Sequence, residues 1–387
     1  MSIRTTLVKN LLKTLSKIET GSLTLVTPKG VTRRYIGKNQ GSSATIYIHD
    51  WQVIENVISR GDIGLGEDYI NGLWNTDNLE NFMILLVENM KYFESYAHGT
   101  FKSRILFFIT NNLFRRNSKS GSKKNIEAHY DVGNDFYKLW LDESMTYSSA
   151  IFNSSNDNLQ DAQKAKYNRI LSKIGQGQKD ILEIGCGWGG FSEAANNMGH
   201  NVQGITISPS QYEIAKTRVS GASKIHLKDY RDVRGMFDAI VSIEMFEAVG
   251  EKYWQEYFQH IKAKLKDGGK ALIQTITIED SIFESYRKRS DFIREYTFPG
   301  GMLPSINKFK EEAEKSKLVC KEVFSFGKDY ANTLRQWLKR FDEKQDVIKS
   351  MGYSEAFIKN WRFYLASSIA AFECGRTNVV QIELAHA

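Results

Sequence analysis

The 387-residue chain is poor in cysteine, proline and long apolar runs, and each scarcity removes a class of protein. Its three cysteines, Cys186, Cys320 and Cys374, form neither a disulfide framework nor a zinc-ligand spacing, so no metal site is expected. They suit a reducing compartment. Four prolines are too few for a linker-rich or recognition-tail protein. No run of 18 apolar residues exists, so nothing is expected to span a bilayer. Lys9, Lys13 and Lys17 interrupt the candidate for a secretory leader. What is present is apolar material, 41% of residues with 12% aromatic, enough for sizeable cores and too much for a disordered chain. The length suggests two or three folding units.

The formal net charge of +7 is unevenly placed. Residues 1–125 hold 17 Lys and Arg against 10 Asp and Glu, whereas residues 126–387 hold 35 of each. A basic module joined to a neutral one points to contact with a polyanion, either nucleic acid or an anionic membrane. RNA recognition would want exposed aromatics alternating with basic residues, or a known motif. Neither is present, and no nucleic-acid partner is expected.

Leu7, Leu11, Leu12, Leu15 and Ile18 recur at helical spacing in residues 1–18, with Arg4 and the three lysines elsewhere. Such a helix either packs on its own domain or lies on lipid. Short strands are expected at 22–26, 33–35 and 45–48, and helices at 51–59 and 77–89. The run FKSRILFFITNNLF (101–114), flanked by Arg115, Arg116, Lys119, Lys123 and Lys124, reads as a buried helix with a basic exit or as a lipid-facing one. Residues 117–125 read as a linker. From about residue 160 helices and short apolar strands alternate, with strands at 180–184, 202–206, 224–227, 239–243 and 271–276. Helices fall at 162–174, 189–198, 209–219 and 253–265. This pattern implies an α/β fold, a doubly wound parallel sheet covered on both faces, with ligands at the carboxyl ends of its strands.

The run DILEIGCGWGG (180–190) takes an apolar strand into Gly185, Gly187, Gly189 and Gly190 and then into a helix. Glycines there let the backbone turn sharply and approach a ligand. The spacing is not the phosphate-binding Gly-x-Gly-x-x-Gly of dinucleotide folds. With Glu183 and Cys186 it resembles the first motif of S-adenosylmethionine-dependent methyltransferases. GITISPSQ (204–211) then offers Thr206, Ile207, Ser208 and Gln211 in place of a ribose-binding acid, and Asp229, Tyr230 and Arg231 follow the third strand. An Asp there can bond the adenine amine and a flat side chain can cover its ring.

Further stretches are HYDVGNDFY (129–137), MTYSS (145–149), MFEAVG (245–250) and YTFPGGMLPS (296–305). In this order, with the two loops above, they resemble the cyclopropane-fatty-acyl-phospholipid synthase family, which includes the mycolic acid cyclopropane synthases. The resemblance covers roughly residues 125–380. It implies a basic lipid-binding domain (1–116), the linker (117–125) and a catalytic S-adenosylmethionine-dependent methyltransferase domain (126–387). The implied reaction transfers the methyl of S-adenosylmethionine to a double bond in a phospholipid acyl chain. An isolated alkene is a weak nucleophile, so the sulfonium must be held in line in a dry site. The resulting carbocation wants aromatic faces nearby and a base to take a proton.

The resemblance implies bicarbonate as that base, and a constellation to hold it. Glu247 matches the glutamate that orients it, Tyr330 the tyrosine, and Ile276 the backbone donor. Ser149 stands for a cysteine, Gln274 for a histidine, Ala248 for a second histidine, and Ser368 for a late cysteine that Cys374 does not replace. His129 is carried over by motif position, and Tyr147 and Ser148 are implied at the cofactor's sulfonium and carboxylate ends. Plainer readings stand beside these: Glu247 as a helix-start acid, His129 as a capping or core residue, Tyr330 as packing. Ring closure and methyl branching are both open. So is a small-molecule methyltransferase whose basic domain only mediates dimerisation. The resemblance also implies an unsaturated phospholipid substrate, a homodimer, and cytoplasmic placement on the inner membrane face.

Overall fold

The computed structural model describes residues 3–97, 132–154 and 157–387. His129, the apolar run 101–114 and the linker 117–125 lie outside the described residues. The chain forms two compact units, and they are not the two contiguous stretches expected. The first comprises Met1–Val132, Ser290–Pro299 and Glu343–Cys374, and the second Gly133–Arg289, Gly300–Asp342 and Gly375–Ala387.

The first unit is built on a four-stranded sheet, β1 (Thr20–Val26), β2 (Thr32–Ile36), β3 (Asn39–Ile48) and β4 (Trp74–Thr76), in the order β2-β1-β3-β4. β1 alternates between half-buried and buried positions, so Leu23 and Leu25 enter the core. Trp74 is fully buried there, with Phe82 and Leu85 of the helix Leu79–Glu88. The late segments join because their apolar residues complete this core. Phe363, Ala366 and Ala370 of the helix Glu355–Glu373 belong to it, as does Phe292, whose ring centroid is 4.6 Å from that of Phe363. Sequence order alone cannot show this, because the pairing is long-range. The N-terminal helix Ile3–Leu15 commits most of its apolar stripe internally: Leu11, Leu12, Leu15 and Ile18 pack into the same core, while Lys9, Lys13 and Lys17 are exposed. The helix Asp62–Ile70 and β4 were not expected from the sequence.

The second unit holds a seven-stranded sheet of β5 (Asp180–Ile184), β6 (Asn201–Thr206), β7 (Lys224–Leu227), β8 (Phe237–Ile243), β9 (Leu265–Ile278), β10 (Leu318–Ser325) and β11 (Thr377–His386), in the order β10-β11-β9-β8-β5-β6-β7. β5 through β9 pair in parallel, as expected. The sheet is not wholly parallel, however, because β11 runs antiparallel to both β9 and β10. Successive residues of the central strands feed opposite cores. Leu182, Ile240 and Ile273 pack with Trp254, Tyr257 and Phe258 of the helix Trp254–Lys264. Ile181, Val241 and Leu272 pack with Ile170 and Leu171 of the helix Leu159–Ile174. Both faces are thereby covered, which is why these strands read as continuous apolar runs. The chain crosses from one side of β5 to the other between β7 and β8, which opens a crevice at the carboxyl ends of β5 and β8.

Candidate active site

The glycine loop lies at the carboxyl end of β5. Gly185 has φ +77°, and a Cβ there would lie 2.7 Å from Cγ of Met245, so both the turn and the close approach require glycine. The N–H groups of Gly185 and Cys186 donate to the Ile205 carbonyl of β6 at 3.0 and 2.9 Å, fixing the start of the loop. Among the described residues nothing beyond the chain neighbours of Gly187 lies within 4 Å of where a Cβ would be, which leaves backbone open to a ligand. Gly189 and Gly190 lead into the helix Gly190–Asn197. Glu183 is turned inward: its carboxylate accepts from the Ser192 hydroxyl of that helix, and burial pushes its carboxyl up to about 7. Cys186 is buried and its thiol is pushed up by desolvation, so it packs rather than reacts.

The two following strand ends carry polar turns. Thr206 Oγ1 donates to Gln211 Oε1 at 2.9 Å and accepts from Ser208 N–H at 3.1 Å. Ser208 caps the helix Pro209–Arg218, and Ile207 is 77% exposed. Beyond β7, Asp229 accepts from Arg231 Nε at 2.9 Å and from its Nη2 at 2.8 Å, while Tyr230 packs edge-on to Tyr257. Trp188 Nε1 donates to Asn134 Oδ1 at 2.8 Å, and Asn134 Nδ2 donates to the Ser210 carbonyl at 3.1 Å. The motif around residue 134 is thus tied to both cofactor loops. A wall of rings continues from Trp188 through Tyr137 (5.1 Å) and Tyr147 (5.4 Å further) to Trp337 (5.2 Å) and Tyr330 (6.1 Å).

At the carboxyl ends of β8 and β9 lie two half-buried glutamates. Glu244 was not singled out from the sequence, yet it is where the expected residues converge. Its Oε1 accepts from Ser149 N–H at 2.8 Å and from Gln274 Nε2 at 2.7 Å, and its Oε2 accepts from the Tyr330 hydroxyl at 2.6 Å. Burial pushes the Glu244 carboxyl up, while Tyr330, Gln274 and the nearby Lys166 ammonium hold it down. Glu247 sits in the turn Phe246–Ala248 with its Oε1 accepting from Ile276 N–H at 2.6 Å. Among the described residues its Oε2 is buried without a hydrogen-bond partner, and burial together with the Glu244 charge pushes the carboxyl up to about 8.

Three of the expected residues have these partners. Tyr330, grouped with Glu247 by resemblance, bonds Glu244 instead. Ser149 contributes its backbone N–H, its hydroxyl being donated to the Ala150 carbonyl at 3.0 Å. Ser148 accepts from Lys166 Nζ at 2.6 Å, a lysine with no exposed surface that desolvation pushes down to about 7. Gln274 is itself held by Gln381 of β11, whose Nε2 donates to Gln274 Oε1 at 3.0 Å, and Arg169 donates to Gln381 Oε1 at 2.7 Å. Ser368 lies buried on the helix Glu355–Glu373 of the first unit. Ala248 offers no polar group. Bicarbonate does not fit this arrangement, because Ser149, Gln274 and Tyr330 already donate to Glu244 and Ile276 already donates to Glu247. S-adenosylmethionine does fit the open backbone at Gly187 and the polar turns beside it. When bound it supplies an electrophilic methyl group.

A parallel α/β sheet closed by an antiparallel strand, with a glycine loop after its first strand, defines an S-adenosylmethionine-dependent methyltransferase. Residues 117–382 match the profile of mycolic acid cyclopropane synthetase, and the chain belongs to that family. It is 34% identical over 356 residues to the cyclopropane-fatty-acyl-phospholipid synthase of Escherichia coli strain K12, covering 91% of this chain and 90% of the relative. It is 33% identical over 352 residues to the tuberculostearic acid methyltransferase UfaA1 of Mycobacterium tuberculosis, covering 87% and 82%. Among solved structures, the cyclopropane synthase MmaA2 from Mycobacterium tuberculosis superposes with a TM-score of 0.62 at 29% identity, over 68% of this chain and 97% of that one. The protein is an S-adenosylmethionine-dependent methyltransferase, and among the described residues no helix is long and apolar enough to cross a membrane.

Proposed function

We propose that the protein methylates the double bond of unsaturated acyl chains in membrane phospholipid and closes the product to a cyclopropane. The observation that carries this reading is the half-buried pair Glu244 and Glu247 at the end of a wall of aromatic rings that starts at the glycine loop. An alkene substrate has no proton to lose before it attacks. The site must therefore shelter a cation and then remove one proton, and rings beside a desolvated carboxylate supply both needs. A small polar substrate would leave those rings without a role.

The basic residues 1–125 support an anionic membrane surface as the place where the substrate is met, on the cytoplasmic face. A homodimer is the assembly we propose with it. The test is incubation with S-adenosylmethionine and vesicles of monounsaturated phosphatidylglycerol, followed by mass spectrometry of the fatty acid esters. A gain of one methylene with loss of the olefinic protons is expected. A gain of one methylene with a retained double bond would mean methyl branching, and no gain would sink the reading.

A further inference from the structure

The geometry around Glu244 has a chemical consequence. Three donors from three separate elements, Ser149 N–H, Gln274 Nε2 and Tyr330 Oη, converge on one carboxylate within 2.6–2.8 Å. These are the groups that family resemblance assigns to a bound bicarbonate, and the fourth, Ile276 N–H, is already spent on Glu247. A carboxylate and a bicarbonate present the same planar pair of oxygens, so the protein has filled the site with its own side chain.

The backbone confirms that this position is built. Glu244 has φ +51°, in the left-handed region where a non-glycine residue is uncommon, and its N–H donates to the Gln274 carbonyl at 2.8 Å. Gln274 thus fixes Glu244 by both main chain and side chain. Gln381 and Arg169 then fix Gln274. A strained residue held at both ends is oriented, not accommodated.

We propose that Glu244 is the built-in general base of this enzyme, which consequently needs no bicarbonate. The proposal rests on the function proposed above. In the step it describes, the alkene π pair forms a bond to the methyl carbon while the carbon–sulfur bond breaks and leaves its pair on sulfur. One C–H bond of the new methyl then breaks. Its electron pair closes the ring onto the cationic carbon, and its proton goes to a Glu244 oxygen. That proton passes to solvent when products leave. Burial raises the proton affinity of this carboxylate, which favours the transfer, while its three donors favour the charged form.

The test uses the full chain in three forms: wild type, Glu244→Gln and Glu244→Gly. Glycine is chosen because it tolerates the positive φ and vacates the carboxylate's volume. Calorimetric S-adenosylmethionine binding within about threefold of wild type, with unchanged circular dichroism, certifies that each variant is folded. Turnover is measured in carbon-dioxide-free buffer and again with added bicarbonate, and binding of [13C]bicarbonate is followed by NMR. The wild type should turn over equally in both buffers and bind no bicarbonate. Glu244→Gln should lose roughly 100-fold or more in turnover. Glu244→Gly should be as slow without bicarbonate and recover about tenfold or more with it. A wild type that binds bicarbonate, or slows without it, overturns the proposal, as does undiminished turnover in Glu244→Gln. If the wild type forms no lipid product, the functional reading fails instead, and the NMR arm still decides whether the site takes bicarbonate.

Discussion

The Tyr330 hydroxyl lies 2.6 Å from Glu244 Oε2, so the tyrosine serves the carboxylate at the end of β8 rather than Glu247 three residues later. A hydrogen bond to a charged group contributes about 1.5–3 kcal/mol, and here it falls on the group that must hold a defined position during proton transfer. Tyr330→Phe keeps the ring against Trp337 and removes only the donor. The expected outcome is a rate lowered roughly 10- to 100-fold with S-adenosylmethionine affinity unchanged. Steady-state kinetics with calorimetry checks it, and a matching loss of cofactor affinity would place Tyr330 elsewhere in the mechanism.

Gly185 tests the cofactor loop. Its φ of +77° and the 2.7 Å approach of a Cβ to Met245 mean that Gly185→Ala incurs both backbone strain and a clash. Each contributes about 1–2 kcal/mol. Because Met245 adjoins Glu244, the clash should disturb both the loop and the carboxylate. A melting temperature lowered by several degrees and cofactor binding weakened roughly tenfold or more are expected. Thermal unfolding and calorimetry read these separately.

Some of this was legible in the residues, and the exceptions share a cause. β5 stands where its apolar pattern puts it, because a strand buried on both faces and ended by glycines has few other readings, and the short edge strand β7 stands where the turn residues around it leave room for one. β11 escaped because Gln381, Glu383 and His386 interrupt its apolar residues. In the fold, Gln381 is buried because its amide meets Gln274, a pairing more than 100 residues away in sequence. Glu244 escaped for a related reason. The run EMFE offers two acids three apart, and only the positive φ at the first decides that it turns towards Tyr330. Lys166 gives no sign of burial in the sequence, because its partner Ser148 lies 18 residues away.

Glu247 should make stability depend on pH in a definite direction. Its carboxyl is pushed up from 4.5 to about 8, first by burial and then by the Glu244 charge. Between those values the folded protein keeps a proton that the unfolded chain has released, so stability falls as pH rises through that window. Glu247→Gln cannot ionise. Relative to wild type it should gain stability as pH rises from about 4.5 to about 8, by roughly a few kcal/mol, and level off above. Urea unfolding at three pH values across this range checks the sign. The same variant should lose turnover while keeping cofactor affinity.

The last prediction concerns the first unit. Its N-terminal helix commits Leu11, Leu12 and Leu15 to the core, which favours charge over apolar insertion as the means by which this helix meets a membrane. Lys9, Lys13 and Lys17 are all exposed. Each lysine near an anionic surface contributes about 1 kcal/mol, and that attraction decays over a Debye length of about 10 Å at 0.1 M salt. Flotation with phosphatidylglycerol vesicles should therefore be strong at low salt and fade as salt rises, with little binding to neutral vesicles. Replacing the three lysines with glutamate should weaken binding to anionic vesicles by roughly 100-fold or more, because each change both removes an attraction and adds a repulsion. Binding that ignores both salt and the three substitutions would mean that apolar contacts elsewhere hold the lipid, and the basic surface would then have another purpose.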